Sequence, residues 1–361
     1  MAIAVRREDG AVAFSWSELT GAVGDAVTVL PIVVAVGALT DLALATTLVW
    51  FGVFQIVWGL YYGAPVSVEP MKALAALVLA GTITAGEFLV AGLGLGAVLL
   101  VVGATGTLSR VERYVGLPVV RGIQLGVALV LLETALTLGV GEPLVAAGGV
   151  AVLVVAAAGV GWNVAALVVL LAGGVVAAAP TGFPEPALPA LGAAGVGLGD
   201  LTPSAGGALV AQFAMTVGNA ALAASVLLSD LFDRDVSADE LSTSMGVMNL
   251  AAVPLGGFPM CHGSGGIAGK HALGARTAGA NVILGLGYIA VAILAAGLVA
   301  AYPVAILGVI LAVIAVQFGK TSLERADTYP LVIAVGVLGL LTNLGVAFVV
   351  GIVGYHLLAR L

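Results

Sequence analysis

Charge is what this chain lacks most. Of 361 residues only 9% are Asp, Glu, Lys or Arg, while 61% are hydrophobic and the mean hydropathy is +1.21. A soluble domain carries about a quarter charged residues, so a water-exposed globule is excluded. Cysteine is nearly absent: Cys261 stands alone, which rules out an internal disulfide. The three histidines are scattered and no Cys-x-x-Cys or His-Glu-x-x-His pattern occurs, so neither a metal site nor a cofactor is expected. Twelve basic residues against nineteen acidic ones give a net charge of −7, which offers nothing to nucleic acid. No cleavable leader is expected, because Arg6-Arg7 is followed by Glu8-Asp9 and the first apolar run contains Asp25.

What the chain has instead is a succession of apolar runs, near the 20 or so residues that a helix needs to cross a bilayer. Segments 19–38, 42–61, 86–107, 118–139, 143–160 and 163–180 read as spans in the first half. Segments 206–229, 239–257, 277–300, 302–318, 329–341 and 343–359 read as spans in the second. Two more, 69–80 and 264–273, are too short to cross as helices; each follows a Gly-x-Pro turn and a short extended stretch, and reads as a half-helix. Fifty-two glycines suit helices that approach closely in lipid. The expectation is an all-α polytopic protein of the cell membrane with about fourteen elements.

The distribution of Lys and Arg orients it. With residues 1–18 in the cytoplasm, Arg110, Arg113, Arg121, Arg234, Lys270, Arg276, Lys320, Arg325 and Arg360 fall in cytoplasmic loops or span ends, and the C-terminus is cytoplasmic as well. The connection 181–205, expected outside, holds no Lys or Arg. Lys72 alone is placed inside the membrane.

Shifting the sequence by 194 positions brings Val23-Gly24-Asp25-Ala26 onto Val217-Gly218-Asn219-Ala220. The same shift brings Phe51-Gly52 through Ile56 onto Met245-Gly246 through Leu250, and Gly63-Ala64-Pro65 onto Gly257-Phe258-Pro259. One ungapped shift linking three matches points to a duplication, with repeats at 19–180 and 206–361. Seven elements per copy reverse the direction of the second, so the repeats are inverted. Inverted repeats with paired interrupted helices mark secondary transporters that bind substrate near the midplane.

The two interrupted segments carry the candidate site. The first contains Ser67, Val68, Glu69, Met71 and Lys72, with Pro70 suited to a first helical turn. The second contains Cys261, His262, Gly263, Ser264, Gly265 and Gly266. Two helix N-termini facing each other make an anion site from backbone donors, and Ser67, Ser264 and Lys72 add side-chain donors. Lys72 either pairs with Glu69, three residues earlier, or offsets substrate charge. Asp25, Gln212 and Asn219 are site-shaping candidates, and Asp25 or Glu69 is a candidate for binding a coupling proton or sodium. Asn219 is read as the repeat mate of Asp25, and Gln212 of Glu18. His262 is either a titrating group or a hydrogen-bonded orienter. A thiol enzyme built on Cys261-His262 lacks an orienting partner, so no enzyme activity is expected.

The stretches Gly24-Asp25 to Pro31-Ile32, Pro65 to Lys72, Leu117 to Gly126, and Gly246 to Leu250 continuing through Pro259 to Gly269 resemble the molybdate transporter family, a branch related to the sulfate permeases. Gly274-Ala275-Arg276-Thr277 is similar to the sulfate permeases as well. The resemblance implies a seven-plus-seven inverted-repeat fold. A core domain would comprise elements 1–4 and 8–11, and a gate domain elements 5–7 and 12–14. The anion would lie between the third and tenth elements. It implies importing a tetrahedral oxyanion, molybdate first and sulfate second, with cation coupling and a homodimer as further expectations. Glu69 stands where the eukaryotic members would have Gln, Ser264 where Ala is usual, and Lys270 where Gln is usual. The chain ends at Leu361 directly after the last span, so the cytosolic regulatory domain of sulfate permeases is not expected. A nucleobase carrier and an anion channel are the more distant alternatives.

Overall fold

Apolar stretches in this chain become helices because lipid offers no partner for backbone N–H and C=O groups. The computed structural model describes residues 3–5, 12–190 and 192–358; Arg6, Arg7, Glu8, Asp9 and Arg360, and the side chain of Arg113, lie outside that description. A hairpin of β1 (Ile3–Val5) and β2 (Val12–Phe14) leads into α1 (Trp16–Leu39) and α2 (Leu44–Tyr62). A short strand, β3 (Val68–Pro70), runs directly into α3 (Lys72–Leu79). Then follow α4 (Ala85–Ala104), α5 (Leu108–Val115), α6 (Leu117–Gly141), α7 (Pro143–Val160) and α8 (Trp162–Thr181). The second half holds α9 (Pro203–Met215), a π-helical stretch (Thr216–Leu222), α10 (Ala223–Phe232) and α11 (Ala238–Ala252). It continues with β4 (Met260–His262), α12 (Ser264–Ala272), α13 (Gly279–Leu294), α14 (Val304–Glu324), α15 (Tyr329–Leu341) and α16 (Leu344–Leu358).

Among the described residues seven helices are long and apolar enough to cross a bilayer, with α9 to α10 counted as one continuous run. Their apolar side chains also face outward. In α7 only Gly149 and Leu153 are buried, while Val150, Val154 and Val155 are exposed, as suits a helix bathed in lipid. Each expected span has a helical counterpart. The amphipathic α5 was not expected; it links α4 to α6.

Hydrogen bonds at the loop ends fix the direction of α1, α2, α4, α6, α9, α11, α13 and α14. At one face the start of α1 meets the start of α13, where Glu18 accepts from the N–H groups of Arg276, Thr277 and Ala280. The end of α2 meets α11 through Tyr62 and Ser244, and Ser322 near the end of α14 donates to the Arg121 carbonyl near the start of α6. At the opposite face Thr202, the N-cap of α9, donates to Glu87 at the start of α4. The 181–205 connection lies there too: Thr46 donates to the Ala190 carbonyl, and Ala187 N–H to that of Ile293.

The halves therefore run in opposite senses and pack by exchanging partners, each helix against the repeat mate of the other. α2 lies against α13, and α4 against α11. The first pair meets at Gly52 and Gly285, where a Cβ on Gly52 would come 2.6 Å from the Gly285 carbonyl oxygen. Only glycine allows that approach. β3 and β4 pair antiparallel with Val68 opposite His262, Glu69 opposite Cys261, and Pro70 opposite Met260. Val68 and His262 are separated by the same 194 positions that relate the repeats, so the pseudo-two-fold axis passes between them.

The first helices follow a different register. Their N-caps, Ser15 and Thr202, are 187 positions apart, and the run 203–232 is 30 residues long against 24 in α1. Counted from the caps, the mate of Asp25 is Gln212, not Asn219. The extra residues follow Gln212, beginning with the π-helical stretch.

Candidate functional site

Both half-helices are set up by a glycine that ends the preceding helix. Gly63 closes α2 at φ 62° and Gly256 closes the turn after α11 at φ 81°, a region where a side chain is strained. The chain then returns through the interior as β3 or β4 and starts a new helix midway. Because the strands are antiparallel, α3 and α12 leave their crossing toward opposite faces, and their N-termini meet at it. Each half-helix thus aims its positive end at the same point.

The amide donors at those ends divide into used and unused. Gln212 Oε1 accepts from Ala73 N–H at 2.8 Å and Leu74 N–H at 3.4 Å, capping α3. Glu69 Oε1 accepts from Gly266 N–H at 2.7 Å in the first turn of α12. Ser264 and Gly265 N–H have no acceptor among the described residues. A cavity of about 490 Å³ opens in front of them.

Of the sequence-predicted residues, Glu69, Lys72, Gln212, Asn219, Cys261, His262, Gly263, Ser264 and Gly265 line this cavity. Lys72 ion-pairs with Glu69, keeps 15% of its side chain exposed, and lies 5.1 Å from the Phe318 ring centroid on α14. His262 is hydrogen-bonded through both ring nitrogens. Its Nδ1 donates to the Ser67 carbonyl at 2.9 Å, which leaves Nε2 to accept from Ser244 at 2.7 Å. The Cys261 thiol points at the Pro70 carbonyl across the strand pair, 3.8 Å away.

Ser67, Val68, Met71, Gly266 and Asp25 do not line the cavity. Val68 and Met71 are fully buried in the apolar core. The Ser67 hydroxyl donates to Asp25 at 2.6 Å instead of facing a ligand. Asp25 belongs to a buried network behind the half-helices, and its partner corrects the expected place of Lys270. That lysine has no solvent exposure. Its Nζ lies 2.9 Å from Asp25 Oδ2 and donates to Gln55, the Val66 carbonyl and Asn281 at 2.8–3.0 Å. The positive-inside pattern placed it in a cytoplasmic span end; it is instead a structural counter-ion. Gly266, Gly269 and Lys270 form the α12 face toward α1, where Gly24 and Asp25 receive them.

Arg121, Gln124, Thr321 and Arg325 line the cavity and were not among the expected site residues. The Arg121 guanidinium donates to Gln124 at 2.9 Å and to Asn219, in the π-helical stretch, at 3.3 Å. The interruption of an apolar helix by Arg121-Gly122-Ile123-Gln124, within the stretch that resembles the family, signalled the first two; nothing in the sequence signalled Thr321 or Arg325. The lining holds three cations, Lys72, Arg121 and Arg325, and one carboxylate, Glu69, an excess of two positive charges among the lining residues; just outside the lining, the charge of Asp327 acts favourably on Arg121.

The transmembrane domain of a cyanobacterium bicarbonate transporter, BicA, has a similar fold, with TM-score 0.71 at 19% identity over 92% of this chain and 97% of that one. So does the murine Slc26a9 anion transporter in its inward-facing state, with TM-score 0.70 at 14% identity over 99% of this chain and 69% of that one. In sequence the chain is 28% identical to Molybdate transporter 2 of Arabidopsis thaliana, over 95% of this chain and 87% of that protein. It is 26% identical to Molybdate transporter 1 of Chlamydomonas reinhardtii, over 94% and 91%. The profile of a family described as "Molybdate transporter of MFS superfamily" matches twice, at residues 17–131 and 204–318, once in each repeat and 187 positions apart. With that profile covering more than half of its residues, and its inverted repeats meeting at two half-helix tips, the chain belongs to the molybdate transporter family.

Proposed function

We propose that the protein is a secondary active importer of a tetrahedral oxyanion, with molybdate as its substrate, working by alternating access in the cell membrane. The observation that carries this reading is the set of unused donors at one point. The Ser264 and Gly265 amides have no acceptor among the described residues, and beside them the Lys72 ammonium, shared with Glu69, faces the same cavity, whose lining residues carry two positive charges in excess. A dianion leaving water needs its hydrogen bonds replaced and its charge matched. Preformed amides at helix tips do both without a cluster of lysines to desolvate.

In this reading α1–α4 and α9–α13 form the core domain, and α6–α8 with α14–α16 form the gate. The cavity lies along their boundary, between the half-helix tips and the ends of α6 and α14 that hold Leu117 and Arg325. The basic residues near the face where α1 begins support a cytoplasmic position for both termini, so the cavity opens inward. Substrate would be released from this state, and a cation gradient would drive its accumulation.

Binding to purified protein tests the reading. Molybdate and tungstate should bind tightly and compete, sulfate should bind more weakly, and uracil should not bind. Lys72→Ala should weaken molybdate binding by about 10–100-fold, the equivalent of about 1.4–2.8 kcal/mol. Preference for uracil, or molybdate binding indifferent to Lys72, would reject it; preference for sulfate would reassign the substrate.

A further inference from the structure

Glu69 already occupies the place of an anion. Its carboxylate is fully buried and touches both half-helix tips at once. One oxygen accepts from Gly266 N–H at 2.7 Å and the other pairs with Lys72. The local backbone is shaped around it: a Cβ on Gly263 or on Gly266 would collide with the Glu69 carboxyl group. The remaining neighbours hold it without satisfying it fully. Thr28 on α1 and Ser67, just before β3, each approach Oε1 at 3.3 Å, while both hydroxyls have their shorter bonds to Asp25, Thr28 to its carbonyl and Ser67 to its carboxylate. Asp25 is in turn in contact with Lys270, so among the described residues Lys72 is the one cation in contact with Glu69.

We propose that Glu69 is a tethered stand-in for the substrate, which neutralises the site while it is empty and so lets the unloaded carrier return across the membrane. The inference rests on the oxyanion-carrier reading. A buried ammonium without a counter-ion is strongly unfavourable, and a carrier that moves its half-helix tips past a closed gate must carry Lys72 with them. When substrate is bound, the dianion supplies the negative charge. When it is not, Glu69 supplies it from three residues away. Lys72 is the movable partner, partly exposed to the cavity and stacked toward Phe318, so an incoming anion competes with Glu69 for it. Without Glu69 the empty carrier strands Lys72 and stays on one side, while the loaded carrier still crosses. Exchange of anion for anion then outlasts net uptake.

The test uses the full chain in proteoliposomes and radiolabelled molybdate. Two rates are measured, net uptake into molybdate-free vesicles and exchange into vesicles preloaded with molybdate. In Glu69→Gln, which keeps the side-chain shape and removes the charge, the ratio of exchange to net uptake rises at least about tenfold over wild type. Glu69→Asp keeps the charge and loses one methylene of reach, so its ratio falls between the two. An unmoved ratio in both variants overturns the proposal, whether the two rates persist or decline in parallel. A wild-type protein that neither takes up nor exchanges molybdate overturns the carrier reading instead.

Discussion

Replacing Lys270 with methionine should damage this protein more than any other single lysine change. The ammonium is buried without solvent contact, 2.9 Å from Asp25, and joins α12 to α1, α2 and α13 through Asp25, Gln55 and Asn281. Methionine keeps most of the volume and removes the charge. Asp25 would then be left as a buried carboxylate with two neutral donors, Gln55 at 2.8 Å and Ser67 at 2.6 Å. Breaking a buried ion pair from one side costs about 3–5 kcal/mol. At about 2 °C per kcal/mol for a chain larger than 150 residues, the apparent melting temperature drops by roughly 6–10 °C. Asp25→Asn combined with Lys270→Met removes both charges, and should recover at least half of the loss. Cys261 is the chain's only thiol and is buried, so a thiol-reactive fluorophore reports unfolding directly in detergent. A shift below about 2 °C for the single variant, or a double variant no better than the single, would refute a structural ion pair at this place.

Gly265 faces open space, with no atom within 4 Å of where a Cβ would stand, so Gly265→Val should melt within about 2 °C of wild type and lose molybdate binding by at least about tenfold. Binding isotherms and melting curves on the same preparation check both halves of that statement. Arg121→Gln cuts the excess lining charge from two to one, and should weaken a dianion by about 3–30-fold while leaving a neutral probe unaffected. Gly52→Val should disturb the contact with α13, seen as a melting temperature lowered by several degrees, because the Gly285 carbonyl cannot move aside.

Much of the architecture was legible because hydropathy is a strong signal when charge is so sparse. The half-helices were found from Gly63-Ala64-Pro65 and Gly257-Phe258-Pro259, where turn residues precede apolar runs too short to cross. The antiparallel pairing of Val68 with His262 follows from the same repeat. Lys270 was misplaced because its partner lies 245 positions upstream, and a lysine at the end of a short apolar run looks like a loop residue. Arg121 does lie near the start of α6, but its place in the site was hidden because the cavity forms only when α6 is laid against α14 and the π-helical stretch. The change of register in the second repeat was hidden because the longer run 203–232 is apolar throughout, so hydropathy does not show where its extra residues lie. That is why Asn219 took the place of Gln212 as the mate of Asp25. Ser67 looked like a ligand because nothing local reveals that its hydroxyl turns inward, toward Asp25.

The most direct test is to locate the anion itself. A structure of the full chain with tungstate or molybdate, recorded with anomalous scattering, should place the metal atom in the cavity between the tips of α3 and α12. Its oxygens should lie about 2.7–3.2 Å from the Gly265 N–H and from Lys72 Nζ. Anomalous density outside that cavity, with the Ser264 and Gly265 amides still without an acceptor, would contradict the account.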